Sequence, residues 1–384
     1  MLRILTLSTL FPDATRPNFG VFVERQTLGL AAEPDVCVTV VAPVGLPPRP
    51  LRRAHHRALA RLPGREDWKG VSVHRPRFPS LPGTGGRFAP ALLVRRVRPV
   101  LDRLHGGFDV IDASFFFPYG PAAVALGRRY GVPVSVKARG ADIHHWGRVR
   151  RAQVLAAGRA ADGLLAVSDA MKADMVAMGM PAERSRVHRT GIDHDRFRPT
   201  DRAAAKAALG VAGPVVLSLG ALIPRKGHDV VIDAVAQLPG VTLLIAGEGP
   251  DRAALEARAQ GVADRVRLLG AVPHRELPRL LAAADVMALA SSSEGLANAW
   301  VEALACGTPI VIPDAGGARE VVTTPDAGRI VDRDPQAFAT AIADLIASPP
   351  APEAVARAAA PFSWDRNARE LRDHLMALVA AHGR

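Results

Sequence analysis

Short apolar runs recur along the chain, separated by longer stretches in which apolar and polar positions mix. In the first half the runs are Leu2–Ser8, Asp35–Ala42, Val71–His74, Phe108–Asp112, Val132–Lys137, Gly163–Val167 and Arg186–His188. Most are rich in Val, Ile or Leu and bounded by Gly, Pro, Asp or Asn, the pattern of buried strands. Between them, Val21–Ala32, Pro121–Tyr130 and Ala170–Met178 place apolar residues at helical spacing. Strands that alternate with helices predict parallel βαβ units. The second half restarts this rhythm at Pro214–Leu219, Val241–Ala246, Val266–Leu269, Val286–Ala288, Pro309–Ile312 and Arg329–Val331. Its predicted helices are Gly227–Gln237, Asp251–Gln260, Glu276–Ala283, Asn298–Ala305 and Gln336–Ala347. After a Pro-rich break at Pro349–Pro352, Trp364–His382 reads as a long amphipathic helix that returns to the first domain.

Residues 190–202 carry Gly191 and Pro199 with little periodicity, and a capped helix is expected after Thr200 or Asp201. At a prior of about 150 residues per domain, 384 residues make two domains or three, and the single break at residues 190–202 favours two. The expected fold class is therefore α/β: two Rossmann-like, doubly wound domains over residues 1–195 and 196–363, facing a cleft. A terminal helix over 364–384 packs back toward the first. Ligands of such sheets sit beyond the strand C-termini, so the loops after strands are where chemistry is sought. Residues 43–69 break the rhythm. Arg49, Arg52, Arg53, Arg57, Arg61 and Arg65 stand beside Leu51, Leu59 and Leu62, a spacing that predicts an inserted basic amphipathic helix.

Charge divides the chain at the same boundary. Residues 1–200 hold 31 Lys and Arg against 16 Asp and Glu, whereas residues 201–384 hold 18 against 21. The first half is thus suited to an anionic partner: nucleic acid, an anionic lipid surface or a phosphorylated substrate. With 34 Gly and 32 Pro but no low-complexity tract, collagen and general disorder are excluded. No apolar run reaches membrane-spanning length, and Met1–Leu7 reads as a first strand rather than a signal peptide. Two distant cysteines, Cys37 and Cys306, exclude a disulfide framework and a Cys-rich zinc site and favour a reducing cytosol.

The densest chemistry runs from Ser291 to Pro309. A strand ends in a polar loop, a helix starts near Asn298, and Gly307 is placed to stop it in a left-handed cap. Backbone N–H groups around Gly295, Leu296 and Asn298 then make an anion-binding helix N-terminus. Glu294 precedes that end and Glu302 lies one turn inside it. A carboxylate on either side suits phosphates flanked by sugar hydroxyls, since a carboxylate accepts two hydrogen bonds from a vicinal diol. Solvated acids near a helix start fit the same spacing. A second cluster, Gly220 to His228, follows the first strand of the second half and puts Arg225 and Lys226 at a helix start. Cations are locally unfavourable there, and a bound diphosphate gives them a reason; solvated surface cations are the alternative. In the first half, Pro17–Gly20 is a glycine turn between strand and helix, and Lys137–His145 offers Arg139, Asp142 and two His after a strand. An ordinary βα turn at Gly20 and a helix cap at Asp142 fit equally. No P-loop, G-x-G-x-x-G after the first strand, H-E-x-x-H or G-x-S-x-G occurs, and His144-His145 has no third ligand at metal spacing.

Taken together, these segments resemble the retaining glycosyltransferases of family 4, which have the GT-B fold. Glu294 and Glu302 reproduce that family's E-x7-E signature, and Gly220 to Lys226 looks like its G-R-L-x-x-x-K-G loop. Ile245 to Pro250, including Glu248, and Gly191 to Pro199 also match. Leu10–Pro12 and Phe19–Gln26 are similar to bacterial members that build teichuronic acid and other surface polysaccharides. The resemblance implies transfer of a hexose from a UDP- or GDP-sugar to a glycan or polyprenyl-diphosphate-linked acceptor, without a metal or other cofactor. It gives Arg225 and Lys226 the donor diphosphate, with amides near Gly295, Leu296 and Asn298. Glu302 takes the ribose, Glu294 orients the donor sugar, and the Gly20 loop borders acceptor and diphosphate. Where many members place His before Gly-x-Asp this chain has Arg139, while Asp142 matches; where the family often has Pro after Gly-Leu, it has Ala297. The basic first half becomes the acceptor domain, at the cytoplasmic face of an anionic membrane. An epimerase of the same architecture would isomerise free donor, and a nucleic-acid-binding protein is disfavoured by sparse aromatics and the lack of a motif.

Overall fold

The computed structural model describes residues 1–17, 19–104 and 107–383, so Asn18 of the Pro17–Gly20 turn lies outside the described residues. The chain separates into two compact units. One comprises Met1–Gly191 with the segment from Trp364 onward, and the other Ile192–Ser363.

The first unit contains β1 (Leu2–Leu7), β2 (Val36–Val41), β3 (Val44–Leu46), β4 (Arg65–Trp68), β5 (Val71–His74), β6 (Arg77–Pro79), β7 (Val110–Ala113), β8 (Val134–Ala138), β9 (Gly163–Ala166) and β10 (Ser185–Val187). Eight of them form one sheet in the order β10-β9-β8-β7-β1-β2-β5-β4. All neighbours are parallel except β4, which returns antiparallel on β5 through Lys69 and Gly70, both at positive φ. β3 and β6 make a separate two-stranded parallel ribbon. β1 pairs with β2 on one side and β7 on the other, so the winding reverses between β1 and β7. Both faces are covered, which is why β7, β8 and β9 read as continuous buried runs. On one face the helices Ala89–Leu104 and Tyr119–Tyr130 contribute Leu93, Val97, Leu101, Ala122 and Leu126 to the core. The opposite side of the first helix carries Arg95, Arg96 and Arg98 to solvent. On the other face the helices Val21–Ala32 and Trp364–His382 pack together through Val23, Leu30, Leu371 and Leu375. Arg372 also pairs with Glu33 at 2.6 Å. Fully burying a leucine contributes roughly 1.5–3 kcal/mol, so Leu371 and Leu375 bind the terminal helix firmly to this unit.

The second unit contains β11 (Val215–Leu219), β12 (Thr242–Ala246), β13 (Val266–Gly270), β14 (Val286–Ala288), β15 (Ile310–Ile312) and β16 (Gly328–Ile330). They form a wholly parallel sheet in the order β13-β12-β11-β14-β15-β16, with the reversal between β11 and β14. The helix Arg202–Ala208 starts at Asp201, whose side chain accepts from the Ala204 amide. Gly307 ends the helix Asn298–Ala305 at a φ of 76°.

One expectation fails. Residues 43–69 do not form a basic amphipathic helix. The only α-helical stretch there is Ala54–Ala60, between the ribbon strand β3 and the edge strand β4. Pro47, Pro48 and Pro50 deny helical backbone before it, and Pro63-Gly64 stops any continuation. Leu59 and Leu62 pack with Val44 and Leu46 in a small core, whereas Leu51 sits in a separate turn and is 56% exposed.

Candidate active site

The second unit's site is built where β11 and β14 end. After Leu219 the chain runs through Gly220 into a 3-10 turn, Pro224–Lys226, and then the helix His228–Ala236. Gly227 joins turn to helix at a φ of 67°, and a Cβ there would lie 2.2 Å from the Ala290 carbonyl oxygen. Only glycine allows the first loop to lie so closely on the loop that follows β14. The two are also tied directly: the Ser292 amide donates to the Arg225 carbonyl at 2.8 Å, and Arg225 donates to the Ser293 carbonyl. Arg333 bridges both loops, donating to the Ala290 carbonyl at 2.7 Å and the Pro224 carbonyl at 3.2 Å.

This docking brings two cations to one carboxylate. Lys226 Nζ lies 2.5 Å from Glu294 Oε1, and Arg225 Nη1 lies 3.1 Å from the same oxygen. Behind Glu294, Gly316 has a φ of 54°, and a Cβ there would come within 2.2 Å of the Glu294 carbonyl oxygen. The Gly317 amide donates to the Gly295 carbonyl at 2.8 Å. The glutamate loop is therefore fixed by backbone packing. Leu296 and Ala297 are buried, and Ala297, at the N-cap of the helix Asn298–Ala305, provides no side-chain cap. The Trp300 amide already donates to the Ala297 carbonyl at 3.1 Å, so the first turn offers an anion the amides of Asn298 and Ala299. Glu302 shares a face with Asn298 one turn on, and its Oε1 accepts from His274 Nε2 at 2.9 Å. His274 follows β13, and its ring meets Phe197 edge-on at 5.4 Å. Gly220 lies beside the Lys226 stem. The Glu248 side chain is exposed, while its carbonyl accepts from the Leu222 amide at 2.9 Å. Two cations against one carboxylate leave a positive charge in a half-buried setting, where a phosphate can replace Glu294 as their partner.

The first unit's counterpart, at the ends of β1, β7 and β8, is closed in on itself. Gly20 starts the helix Val21–Ala32 at a φ of 69°, where a Cβ would lie 2.4 Å from the Leu10 carbonyl oxygen. That helix carries Gln26, whose Oε1 accepts from Arg139 Nη2 and from Lys137 Nζ, both at 3.0 Å. The Arg139 guanidinium also lies 4.8 Å over the Phe22 ring and donates to the Ser114 carbonyl. His188 Nε2 sits 2.8 Å from the Asn367 carbonyl and must donate to it, so Nδ1 accepts from Lys137 at 2.8 Å. Burial pushes the Lys137 ammonium far below its usual range and the Asp112 carboxyl up to about 6, the latter opposed by Lys137 and Arg139. Asp142, the residue that matches the family pattern in the sequence, organises its loop. Its buried carboxylate accepts from the amides of Arg139, Gly140 and Phe116 at 2.8–3.2 Å.

Residues 21–196 match Glycosyltransferase Family 4, and residues 200–361 match Glycosyl transferases group 1. The chain therefore carries one domain that matches Glycosyltransferase Family 4 and, after it, one that matches Glycosyl transferases group 1. Its GT-B architecture is shared with sucrose-phosphate synthase from Thermosynechococcus elongatus, at a TM-score of 0.84 and 21% identity over 99% of this chain and 100% of that one. Anabaena HepE in complex with UDP-glucose aligns at a TM-score of 0.75 and 22% identity over 98% and 100%. In sequence, the chain is 37% identical to the D-inositol 3-phosphate glycosyltransferase of Segniliparus rotundus over 195 residues, 46% of this chain and 43% of that protein. The Mycobacterium avium protein of the same name is 39% identical over 200 residues, 48% and 47%. The chain therefore matches less than half the length of these relatives.

Within the group 1 domain, the structure gathers Arg225, Lys226, Glu294, Gly295 and the helix start at Asn298. Glu302 is joined to this helix but faces His274. The family 4 domain gathers Gly20, Arg139 and Asp142 through Gln26. Sequence reading missed His274 and Arg333. His274 had one signal, a histidine after Pro273 in a loop beyond a strand C-terminus; Arg333, between Asp332 and Asp334, had none. Among the described residues, no group of three or more His, Cys, Asp or Glu is placed to hold a metal ion, and no helix is long and apolar enough to cross a membrane.

Proposed function

We propose that this protein is a retaining glycosyltransferase that moves a hexose from a UDP- or GDP-sugar to a lipid-linked glycan acceptor during polysaccharide synthesis on the cytoplasmic side of a membrane. The observation that carries the reading is the convergence of Lys226 and Arg225 on Glu294 at the winding reversal of the group 1 domain, beside an uncapped helix start. Transfer breaks the bond between the sugar's anomeric carbon and the β-phosphate oxygen. The acceptor hydroxyl oxygen bonds that carbon from the same face, and its proton passes to the departing phosphate. The developing negative charge meets Arg225, Lys226 and the amides from Gly295 to Asn298, so these groups act most strongly in the transition state. No metal is needed for this step in the scheme. Glu302, held by His274, takes the ribose hydroxyls, and Glu294, released from its cations, orients the sugar. The relatives named for inositol phosphate glycosylation and the fold relative seen with UDP-glucose support a nucleotide-sugar donor. The basic segment Arg49–Arg65 meets the anionic lipid surface.

A thermal-shift panel of UDP-, GDP- and ADP-sugars tests the donor, because a ligand that binds only the folded state raises Tm. At least one UDP- or GDP-sugar should raise it. The resulting pair should then support transfer with the anomeric configuration retained. Isomerised sugar without any acceptor, or no shift with any nucleotide sugar, would overturn the reading.

A further inference from the structure

The family 4 domain contains a cavity of about 370 Å³ that the donor chemistry does not use. It opens at that domain's own winding reversal, with Thr9 just beyond β1 and Phe117 and Tyr119 just beyond β7. The β3–β6 ribbon forms one wall with Val44, Gly45 and Phe78, and the start of the helix Ala89–Leu104 forms another. Four of the chain's 12 Phe, one of its 4 Trp and one of its 2 Tyr line it, a concentration unlike the rest of a chain with 5% aromatic residues. Folded interiors hold few voids larger than a water molecule, so a space of this size lined by rings is a receptacle rather than a packing fault. At its rim Phe88 is 50% and Leu81 39% exposed.

The lining also says what it does not take. Among the described residues no Asp, Glu, Asn, Gln or Lys borders the cavity; its polar side chains are Thr9, Arg16, Ser80, Thr84 and Tyr119. Four of these are already engaged: Thr9 and Tyr119 hydrogen-bond each other, Arg16 is paired with Asp13 at 2.7 Å, and Thr84 donates to the Leu81 carbonyl at 2.8 Å. A site for sugar hydroxyls needs several free, convergent acceptors and donors. An apolar chain needs none. Gly45 and Ser80 border a second depression that contains Arg52, Arg53 and His56. Neither Arg52 nor Arg53 has a carboxylate partner among the described residues; Arg52 Nε is spent on the Pro47 carbonyl. An apolar cavity thus adjoins an uncompensated cationic mouth.

We infer that this cavity and its mouth bind the apolar chain and the phosphate of a lipid-linked acceptor, the chain among the rings and the phosphate between Arg52 and Arg53. That the amphiphile is an acceptor rests on the proposed glycosyltransferase function; the amphiphile site stands on its own geometry.

The test titrates the full chain with farnesyl phosphate and follows the part of the tryptophan fluorescence that is lost in Trp146→Phe, since Trp146 lines the cavity. A saturable change is expected. Farnesol should bind at least fivefold more weakly, and inorganic phosphate should not displace the prenyl phosphate. Ala89→Phe, which fills the cavity, and the double variant Arg52→Ser/Arg53→Ser, which removes the mouth's charge, should each weaken farnesyl phosphate at least tenfold. The nucleotide-sugar thermal shift of each variant reports that it has folded. Equal binding by both variants and the wild type, or displacement by inorganic phosphate alone, would overturn the inference. Donor binding without prenyl phosphate binding would sink this inference and leave the proposed function standing; the converse result would do the reverse.

Discussion

The two domains repeat one winding scheme and use its reversal point in opposite ways. At the β11/β14 reversal, Arg225 and Lys226 are bound to one carboxylate, Glu294, that a ligand phosphate can replace. At the β1/β7 reversal, Lys137 and Asp112 are fully buried, and Arg139, Gln26 and His188 hydrogen-bond within the domain. Charge that reaches solvent and shares a single carboxylate is available for binding. Charge that is buried and bonded within the domain sets geometry instead, and the space beside it is left to apolar surface. A shared topology therefore locates two candidate sites, and burial decides what each can do.

The contrast is tested most severely at Lys226. Lys226→Ala should lower the transfer rate by about 10²–10³-fold while leaving Tm close to wild type, because removing one preorganised charge-stabilising donor costs that much. A large loss of Tm with unchanged turnover would make it a structural residue like Lys137. Next in size is the pH dependence of stability, which should come from the buried groups of the family 4 domain. Burial lowers His374 to about 4, whereas an unfolded histidine titrates near 6.5. The unfolded chain then takes up the proton first, so stability present above about pH 6.5 is lost as pH falls toward 4, on the order of 3 kcal/mol. His188, lowered still further by burial, adds in the same sense. Asp112, raised to about 6, works oppositely: the folded state takes its proton first and gains stability as pH falls from about 6 to 4. Calorimetric Tm should therefore drop on acidification, more steeply in Asp112→Asn and less steeply in His374→Gln. Identical slopes in all three proteins would contradict this assignment.

Smaller effects sharpen the nucleotide side. Glu302→Ala should weaken nucleotide binding by about 10–100-fold, the range for a lost hydrogen bond to a charged group. His274→Ala acts only by positioning that carboxylate and should cost about 2–10-fold in affinity with the maximal rate nearly unchanged. Isothermal titration of both variants checks the order. If His274→Ala proved the more damaging, the histidine would itself contact the ligand.

How far the chain could be read from its sequence follows the same contrast. Glu294, the helix start at Asn298 and Glu302 lie within one strand-loop-helix passage, so they could be read together, and helical spacing put Asn298 and Glu302 on one face. Arg225 and Lys226 stood out because cations are misplaced at a helix start. The parallel strands were legible because burial on both faces makes them continuous apolar runs; β13 and β14 were placed within a residue. Strand β4 was not, because Arg65-Glu66-Asp67-Trp68 is a polar edge that pairs with only one neighbour. The supposed basic helix failed because leucine spacing outweighed the prolines that interrupt it. His274 and Arg333 join the site from distant loops, and the aromatic cavity is assembled from segments between Thr9 and Trp146; no local pattern records such meetings.

The central claim is that Arg225, Lys226 and the uncapped start of Asn298–Ala305 hold a nucleotide-sugar diphosphate. Titration calorimetry of the wild type and Lys226→Ala with the nucleotide sugar that gives the greatest thermal shift tests it directly. We expect micromolar to millimolar binding, weakened at least tenfold by the substitution and further by added salt. Equal affinity in the two proteins, or binding indifferent to both the substitution and salt, would contradict the claim.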